Sequence, residues 1–312
     1  MSVTFSGGGV TISGGGWTLE AGPTGKKAIF GYGSTGSYTA ITNLVSNTGV
    51  VSTDTAGVGT ARGYLAAAGY GTDKAIFGYG NTGIPPYNTA ITNLVSNTGV
   101  VANNTSGVGT ARNGITAAGY GTDKAIFGYG YASPSLLSMT NLVSNTGVVA
   151  TDTAGVGTAR ANLAAAGYGT DKAIFGYGDS GSVTAITNLV SNTGVVATDT
   201  AGVGTARSDL AATGYGSSGQ AIFGYGLGPT TAITNLVSNT GVVAADTTGV
   251  GTARYGLAAA GYGSSGQAIF GYGLASPITA ITNLVSNTGV VATDTAGVGT
   301  ARYGLAAASY GS

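Results

Sequence analysis

The strongest constraint on the fold is a sequence unit that occurs six times. Each unit contains Ala-Ile-Phe-Gly-Tyr-Gly, then Thr-Asn-Leu-Val-Ser-Asn-Thr-Gly, and ends near an Ala-Arg pair. A period of this length predicts a repeat architecture in which every unit packs on its neighbours. The closing arginines, at steps of 50, 48, 47, 47 and 48 residues, are Arg62, Arg112, Arg160, Arg207, Arg254 and Arg302.

The composition argues against several classes of protein. Eleven basic and eleven acidic residues cancel, and only 7% of the 312 residues are charged. The chain therefore lacks the positive charge expected of a nucleic-acid binder or a polybasic membrane binder. It has no Cys and no His, the commonest metal ligand and general base. We expect no cofactor, no metal site and no membrane insertion, and the start shows no signal peptide.

Residues 1–27 lie outside the repeat, whereas 28–312 form the repeated body. Apolar and polar residues alternate at 3–5, 10–12 and 17–19, and glycine triplets separate these segments. The pattern predicts three very short strands. The leader could lie on the main body, or it could dock into a partner assembly with Trp17 as an apolar anchor.

Each repeat is predicted to hold four strands, labelled A to D. In one copy these are 65–70 (A), 75–79 (B), 90–95 (C) and 100–102 (D). Strand A is rich in alanine, which favours helix, but a six-residue segment bounded by glycine is too short to nucleate one. The short connections indicate an antiparallel meander.

Strands A and B are apolar on both faces, so we expect each sheet to be covered on both sides. Sheets of four strands that cover one another are typical of β-propeller blades, with the small strand A nearest the axis. A parallel β-solenoid is the alternative. Because the first copy lacks a strand A and the chain ends on one, 305–310, the C-terminal strand is expected to complete the first of six blades.

The order of these elements resembles the kelch repeat: an Arg, two apolar strands, paired small residues, then Thr-Asn before a third strand. Gly-Tyr-Gly stands where kelch repeats carry a double glycine, and the usual outer-strand Trp is absent. The resemblance covers about residues 28–312 and implies an all-β, six-bladed propeller. The near-identical units also resemble repeats of marine bacteriophage virion proteins, which implies a virion location as a surface or fibre component.

Most of the six arginines follow an acid by eight residues, which predicts internal structural pairs. One carboxylate in each loop is too few for a calcium site, and the Asp-x-x-Gly spacing departs from the Asp box of sialidases. In the remaining copy Asn104 precedes Arg112. The predicted pairs are Asp54–Arg62, Asp152–Arg160, Asp199–Arg207, Asp246–Arg254 and Asp294–Arg302.

The differences between copies concentrate in two places, the B–C loop and the two residues after each Arg. In a meander both places emerge at the same end of the blades. Loops on a rigid scaffold carry recognition, so this end is predicted to bind a host-surface glycan or protein receptor without catalysis. Loop drift would explain the same variation. The candidate ligand-binding residues are Tyr38, Tyr64, Tyr87, Asn113, Tyr131, Asn162, Asp179, Asp209, Tyr255 and Tyr303.

Two other functions stay open. One is a purely structural capsid or tail decoration protein. The other is a glycan-processing enzyme with a Tyr nucleophile, Arg partners and an acid at Asp179 or Asp209, the two non-repeated acids of the blades.

Overall fold

The computed structural model describes residues 10–13, 16–19 and 25–311, and every regular element within them is a β-strand. Two strands, β1 (Val10–Ser13) and β2 (Gly16–Leu19), form an antiparallel hairpin in the leader. They match two of the three strands predicted there. The third predicted strand, 3–5, and the side chain of Trp17 lie outside what is described.

The other eighteen strands form six antiparallel sheets of three strands in a propeller-like arrangement of blades. In each sheet the alanine-rich strand pairs with the Ala-Ile-Phe-Gly strand, which pairs with the Thr-Asn-Leu-Val strand. In that order the sheets are β20 (Ala306–Tyr310), β3 (Lys27–Gly31) and β4 (Thr42–Val45); β5 (Ala66–Tyr70), β6 (Lys74–Gly78) and β7 (Thr92–Val95); β8 (Thr116–Tyr120), β9 (Lys124–Ala132) and β10 (Ser135–Val143); β11 (Ala164–Tyr168), β12 (Lys172–Gly176) and β13 (Thr187–Val190); β14 (Ala211–Tyr215), β15 (Gln220–Gly226) and β16 (Thr231–Val237); and β17 (Ala258–Tyr262), β18 (Gln267–Leu274) and β19 (Ile278–Val285).

The alanine-rich strands lie innermost and contact one another. Each contacts two others, in the order β5, β8, β11, β14, β17, β20 and back to β5. Alanine and glycine allow these backbones to approach closely, which explains the composition of strand A. The inner strand of the first sheet is β20, whose pairing with β3 runs from Ala306–Gly31 to Tyr310–Lys27. The chain ends therefore meet in one sheet, as the incomplete first and last copies predict.

Neighbouring sheets are held together by an aromatic residue that packs on a glycine. A Cβ on Gly31 would lie 2.7 Å from Cζ of Phe77 in the next sheet, so no larger residue fits. The Phe77 ring also meets the edge of Tyr32, with centroids 5.1 Å apart. Both aromatic side chains are fully buried. The Phe, Gly and Tyr of the repeated box are thus the contact between blades.

The predicted fourth strand is wrong in extent, since its segment forms only two isolated bridges. In the first sheet these are Val45–Val51 and Thr42–Thr55. The two bridges differ in register by one residue, so an extra residue interrupts the ladder as a bulge does. The buried Asn43 side chain bonds into this gap through its Nδ2, which donates to the Ser52 carbonyl at 3.0 Å. The sheets therefore have three strands and a bridged outer segment.

Candidate functional site

The two variable places of the repeat lie side by side at one end of the sheets, which we call the variable end. The residue after each Arg forms an antiparallel bridge with a residue at the start of a B–C loop. Asp179, for example, pairs with Ala161, and Tyr131 pairs with Asn113. The other bridges of this set are Ser34–Tyr303, Gly63–Asn81, Ser208–Leu227 and Tyr255–Leu274.

The opposite end, the turn end, holds the A–B and C–D turns. Asn97 in a C–D turn donates from Nδ2 to Oδ2 of Asp73 in an A–B turn, at 3.1 Å. The neighbouring Lys74 forms an ion pair with Asp73 at 2.9 Å. All five lysines of the chain belong to this end, where they begin the Ala-Ile-Phe-Gly strands or directly precede one.

The second residues after the six arginines are joined to one another by backbone hydrogen bonds at the variable end, and we call this set of residues the inner rim. All six of these residues have positive φ, between 51° and 61°. Each N–H donates to the carbonyl of the equivalent residue in the preceding sheet at 2.7–3.0 Å, and Tyr64 donates to Gly304. Left-handed backbone favours Gly, Asn and Asp, which explains five of the six. The rim residues are Tyr64, Gly114, Asn162, Asp209, Gly256 and Gly304.

A cavity of about 110 Å³ lies inside this rim. The rest of its lining is the leucine or isoleucine that follows each rim residue, such as Leu65, and the first small residues of each inner strand, such as Ala67 in β5. Three of the six rim residues are glycines, and the other three, Tyr64, Asn162 and Asp209, carry side chains. The mouth of the cavity is therefore asymmetric although the fold around it repeats.

The Asp209 carboxylate is half-buried at this mouth. Its Oδ2 accepts a hydrogen bond from Ser208 Oγ at 3.2 Å and a longer one from Asn162 Nδ2 at 3.4 Å. Burial and, to a lesser degree, the charge of Asp179 raise the pKa of Asp209 to about 6, because both disfavour the ionised form.

Three tyrosines form an aromatic cluster beside the mouth. The Tyr64 and Tyr303 rings meet edge to face, with centroids 6.2 Å apart. The Tyr38 ring fills the space beside Gly63, where a Cβ would lie 2.5 Å from Tyr38 Cε1. Burial, then the proximity of Tyr303 and Asp209, raises the pKa of Tyr64. The structure thus brings Tyr38, Tyr64 and Tyr303 together, and Asp209 lies across the same rim, close enough for its charge to act on Tyr64.

The remaining predicted ligand-binding residues are spread over the variable end. Tyr87 is the most exposed, at 55%. The Asn113 side chain holds a neighbouring loop, since its Nδ2 donates to Asn88 Oδ1 at 2.6 Å. Asp179 Oδ1 accepts the Gly181 N–H at 2.8 Å. Tyr131 and Tyr255 are half-buried and contribute backbone bridges to the loops.

The six arginines are fully buried and structural, and Arg302 shows how each is held. Its Nε donates to the Tyr32 carbonyl at 2.8 Å, Nη1 to the Thr300 carbonyl at 3.0 Å and Nη2 to Asn43 Oδ1 at 2.6 Å. The guanidinium carbon lies 4.3 Å from the ring centroid of Tyr272 in the preceding sheet. Every guanidinium nitrogen therefore has a partner, as burial of this charge requires.

The predicted acid–arginine pairs are wrong in their partners. Asp152 lies 3.8 Å from Nη1 of Arg112, and Asp199 lies 3.9 Å from Arg160, so each acid faces the arginine of the preceding copy. The reason is the path of the chain: each Arg enters the next sheet and meets the outer segment of that sheet. The acids bond chiefly to a threonine there, as Asp152 accepts from Thr110 N–H and Oγ1.

Sequence reasoning missed the two residues that complete this network, the Asn of Thr-Asn-Leu-Val and the Thr of Gly-Thr-Ala-Arg. Asn43 bridges Arg302 and Asp54, since its Oδ1 accepts from the arginine and its Nδ2 donates to Asp54 at 2.9 Å. Thr300 donates its N–H to Asp54 at 3.1 Å. Both residue types occur in all six copies, which is a signal that could have identified them.

Among residues 25–311 and the two leader strands, no three His, Cys, Asp or Glu side chains are grouped as a metal site would require. The same described part contains no helix with the length and apolar character of a membrane span. No protein-family model matches the chain, and no curated protein sequence is significantly similar to it.

Proposed function

We propose that the chain forms a closed six-bladed β-propeller whose variable end binds a glycan or protein on a host surface. The pairing of β20 with β3 supports closure, as do the rim hydrogen bonds. A second set of six bonds supports it at the turn end, where Gly311 N–H donates to Asp73 and Gly263 N–H to Lys26. In each set, the hydrogen bonds next to the sheet that contains β20 and β3 have the same donors and acceptors as those between the other neighbouring sheets.

One observation carries the binding role: the sequence differences between copies are concentrated at the variable end. At the turn end the copies differ less: the A–B turn is Gly-Thr-Asp-Lys in three copies and Gly-Ser-Ser-Gly-Gln in two, whereas the C–D turn is the same in all six. Differences concentrated on the loops of one end are typical of a recognition surface on a repeated support. The residues there are Tyr, Asn, Asp, Ser and Gly, a composition that provides aromatic contact area and adaptable hydrogen bonds.

The glycan-processing alternative gains no support from the arginines. That reaction requires Arg side chains that can contact a substrate, but all six arginines are fully buried, and Arg302 shows how their guanidinium nitrogens are bonded to protein oxygens. The proposed role is therefore binding without catalysis.

The placement on a phage particle, with residues 1–27 attached to other virion proteins, rests on the resemblance of the repeated units. A structural decoration protein would share this scaffold. Ligand binding at the variable end distinguishes the two.

Replacing the variable side chains with those of other copies is expected to abolish binding and leave the fold intact. Asn162→Gly and Asp209→Gly adopt the residue of equivalent rim positions, and Tyr131→Ser adopts that of Ser34. Together with Tyr87→Ser, these changes remove aromatic and polar contacts without straining the backbone. We expect at least about tenfold weaker binding to host cells or a glycan array.

The matched control changes the turn end instead. Val148 and Val195 are 64% and 66% exposed there, and Val148→Ser with Val195→Ser should leave binding unchanged. Circular dichroism melting checks that both variants fold. Binding that survives the variable-end changes would contradict the proposed function.

A further inference from the structure

We propose that the mouth of the axial cavity binds the ammonium group of an alkylammonium ligand, with Asp209 as counter-ion and Tyr64 as aromatic wall. This inference rests on the proposed function, because it names the ligand class of the variable end. It depends on the distribution of charge, the free carboxylate oxygen and the shape of the rim.

The charges of the described body are separated between its two ends. The lysines lie at the turn end, where three of them pair with the preceding aspartate. The arginines are fully buried, and five acids bond into their networks. Asp179 and Asp209 remain at the variable end without a basic partner among the described residues. A cation is therefore favoured there, and an anion is repelled.

One oxygen of Asp209 is available to a ligand. Ser208 and Asn162 both donate to Oδ2, whereas no described residue donates to Oδ1. A half-buried carboxylate with an unused acceptor gains from a cationic partner more than an exposed one does, since less water screens the pair.

On one side of the rim only glycines separate the carboxylate from the aromatic ring. Gly256 and Gly304 stand between Asp209 and Tyr64 in the order of the rim hydrogen bonds. A Cβ on Gly304 would lie 3.5 Å from the Tyr64 ring, and a Cβ on Gly256 would lie 3.6 Å from Cδ2 of Tyr303, so the two aromatic rings line this side of the rim. Tyr303 packs against Tyr64 and orients its ring.

An aromatic ring and a carboxylate on opposite sides of one mouth are suited to an ammonium group held between them. The ring quadrupole attracts the cation, the ring carbons contact its methyl or methylene groups, and the carboxylate supplies the charge. The cavity of about 110 Å³ has room for a small head group, with the rest of the ligand outside the mouth.

The test measures binding of choline and of its neutral isostere, 3,3-dimethylbutan-1-ol, to the full-length protein by NMR titration. We expect choline to bind at millimolar concentration and the isostere at least about tenfold more weakly, because only the charge differs. Asp209→Asn should weaken choline binding about tenfold or more. Asparagine occupies the equivalent rim position at Asn162, so this variant is compatible with the fold.

A pH series tests whether the affinity for choline depends on the charge of Asp209. Choline keeps its charge at every pH, whereas the pKa of Asp209 is raised to about 6. The affinity should therefore fall about tenfold from pH 7.5 to pH 5, as the ionised fraction of Asp209 falls by that factor. The Asp209→Asn variant should show no such dependence, and Asp179→Asn should keep most of it.

Equal affinity for choline and its isostere, or no choline binding at tens of millimolar, would overturn this inference. If the variable-end substitutions then still abolish host binding, the proposed function stands and only the ligand class is wrong. If choline also competes with host binding, both proposals are supported together.

Discussion

A chain that ends at Gly304 is expected to lose its cooperative fold. The truncation removes β20, the inner strand of the first sheet, and exposes one side of β3 along five paired residues. Leu305, Ala306, Ala308 and Tyr310 are all buried, at 3–6% exposure. Loss of two large buried side chains alone costs about 5 kcal/mol or more, comparable with the whole stability of many domains. Thermal unfolding followed by circular dichroism measures the effect.

The control for this truncation removes residues 1–19, which lie outside the repeat. That chain is expected to unfold cooperatively near the midpoint of the intact protein. An unchanged midpoint after loss of residues 305–312 would contradict the pairing of β20 with β3.

Arg302→Met should destabilise the protein by about 3–5 kcal/mol, because it removes the donor for two buried oxygens and one partly buried oxygen. The Tyr32 carbonyl, the Thr300 carbonyl and Asn43 Oδ1 would lose their arginine partner, and the contact with the Tyr272 ring would also be lost. Methionine keeps most of the apolar stem and fills part of the space. Urea unfolding measures the difference in free energy.

The same substitution at Arg160 provides an internal standard. Arg160 has equivalent bonds to the Tyr177 carbonyl, the Thr158 carbonyl and Asn188, and it joins consecutive segments of one chain. If the chain ends meet in solution as they do in the structure, both variants lose similar stability, within about 1 kcal/mol. A large loss for Arg160→Met with almost none for Arg302→Met would show that the terminal junction is open.

The sequence predicts the all-β fold and the six sheets because the signals are local and repeated. Ala-Ile-Phe-Gly-Tyr and Thr-Asn-Leu-Val have the length and turns of strands in every copy, and their limits agree within a few residues with β6 and β7. The lone final strand also predicts the partner of β3. A short segment alone gives only a weak signal for a strand, and its recurrence in six copies strengthens that signal.

The acid–arginine partners could not be read from spacing along the chain. Asp152 and Arg160 are eight residues apart in sequence, but Arg112 is the arginine that the fold brings to Asp152. The pairing depends on which sheet a connection enters, and this is a property of the three-dimensional path. The outer segment of each sheet is shorter than the predicted strand D for a reason that spacing also does not indicate. In the first sheet the Asn43 side chain, rather than a backbone N–H, donates to the Ser52 carbonyl of that segment.

The sequence predicts that the two variable segments lie at the same end of the sheets, but it does not predict the arrangement of the residues there. The meander places both variable segments at one end, and their bridges lie there. The inner rim is different: only backbone angles reveal that Tyr64, Asn162 and Asp209 share a left-handed conformation with three glycines. The six tyrosines of Gly-Tyr-Gly also have positive φ, 62° to 65°, which a bulky residue seldom adopts and which no sequence pattern indicated.

The central claim is that the junction between the chain ends is equivalent to the other junctions, and a circular permutant tests it most directly. The permuted chain runs 1–25, 73–312 and then 26–72, so it keeps every residue of the protein. Its new turn, Tyr310-Gly311-Ser312-Lys26-Lys27, has the length of Tyr70-Gly71-Thr72-Asp73-Lys74, and the flanking pairs Tyr310–Lys27 and Tyr70–Lys74 are in the same register.

The measurement is the thermal midpoint of this permutant, and size-exclusion chromatography compares its oligomeric state with that of the unpermuted chain. Because all non-covalent contacts are retained, we expect a cooperative transition within about 5 °C of the unpermuted chain. A permutant that fails to fold, or that folds only as a larger oligomer than the unpermuted chain, would contradict the closed six-bladed account.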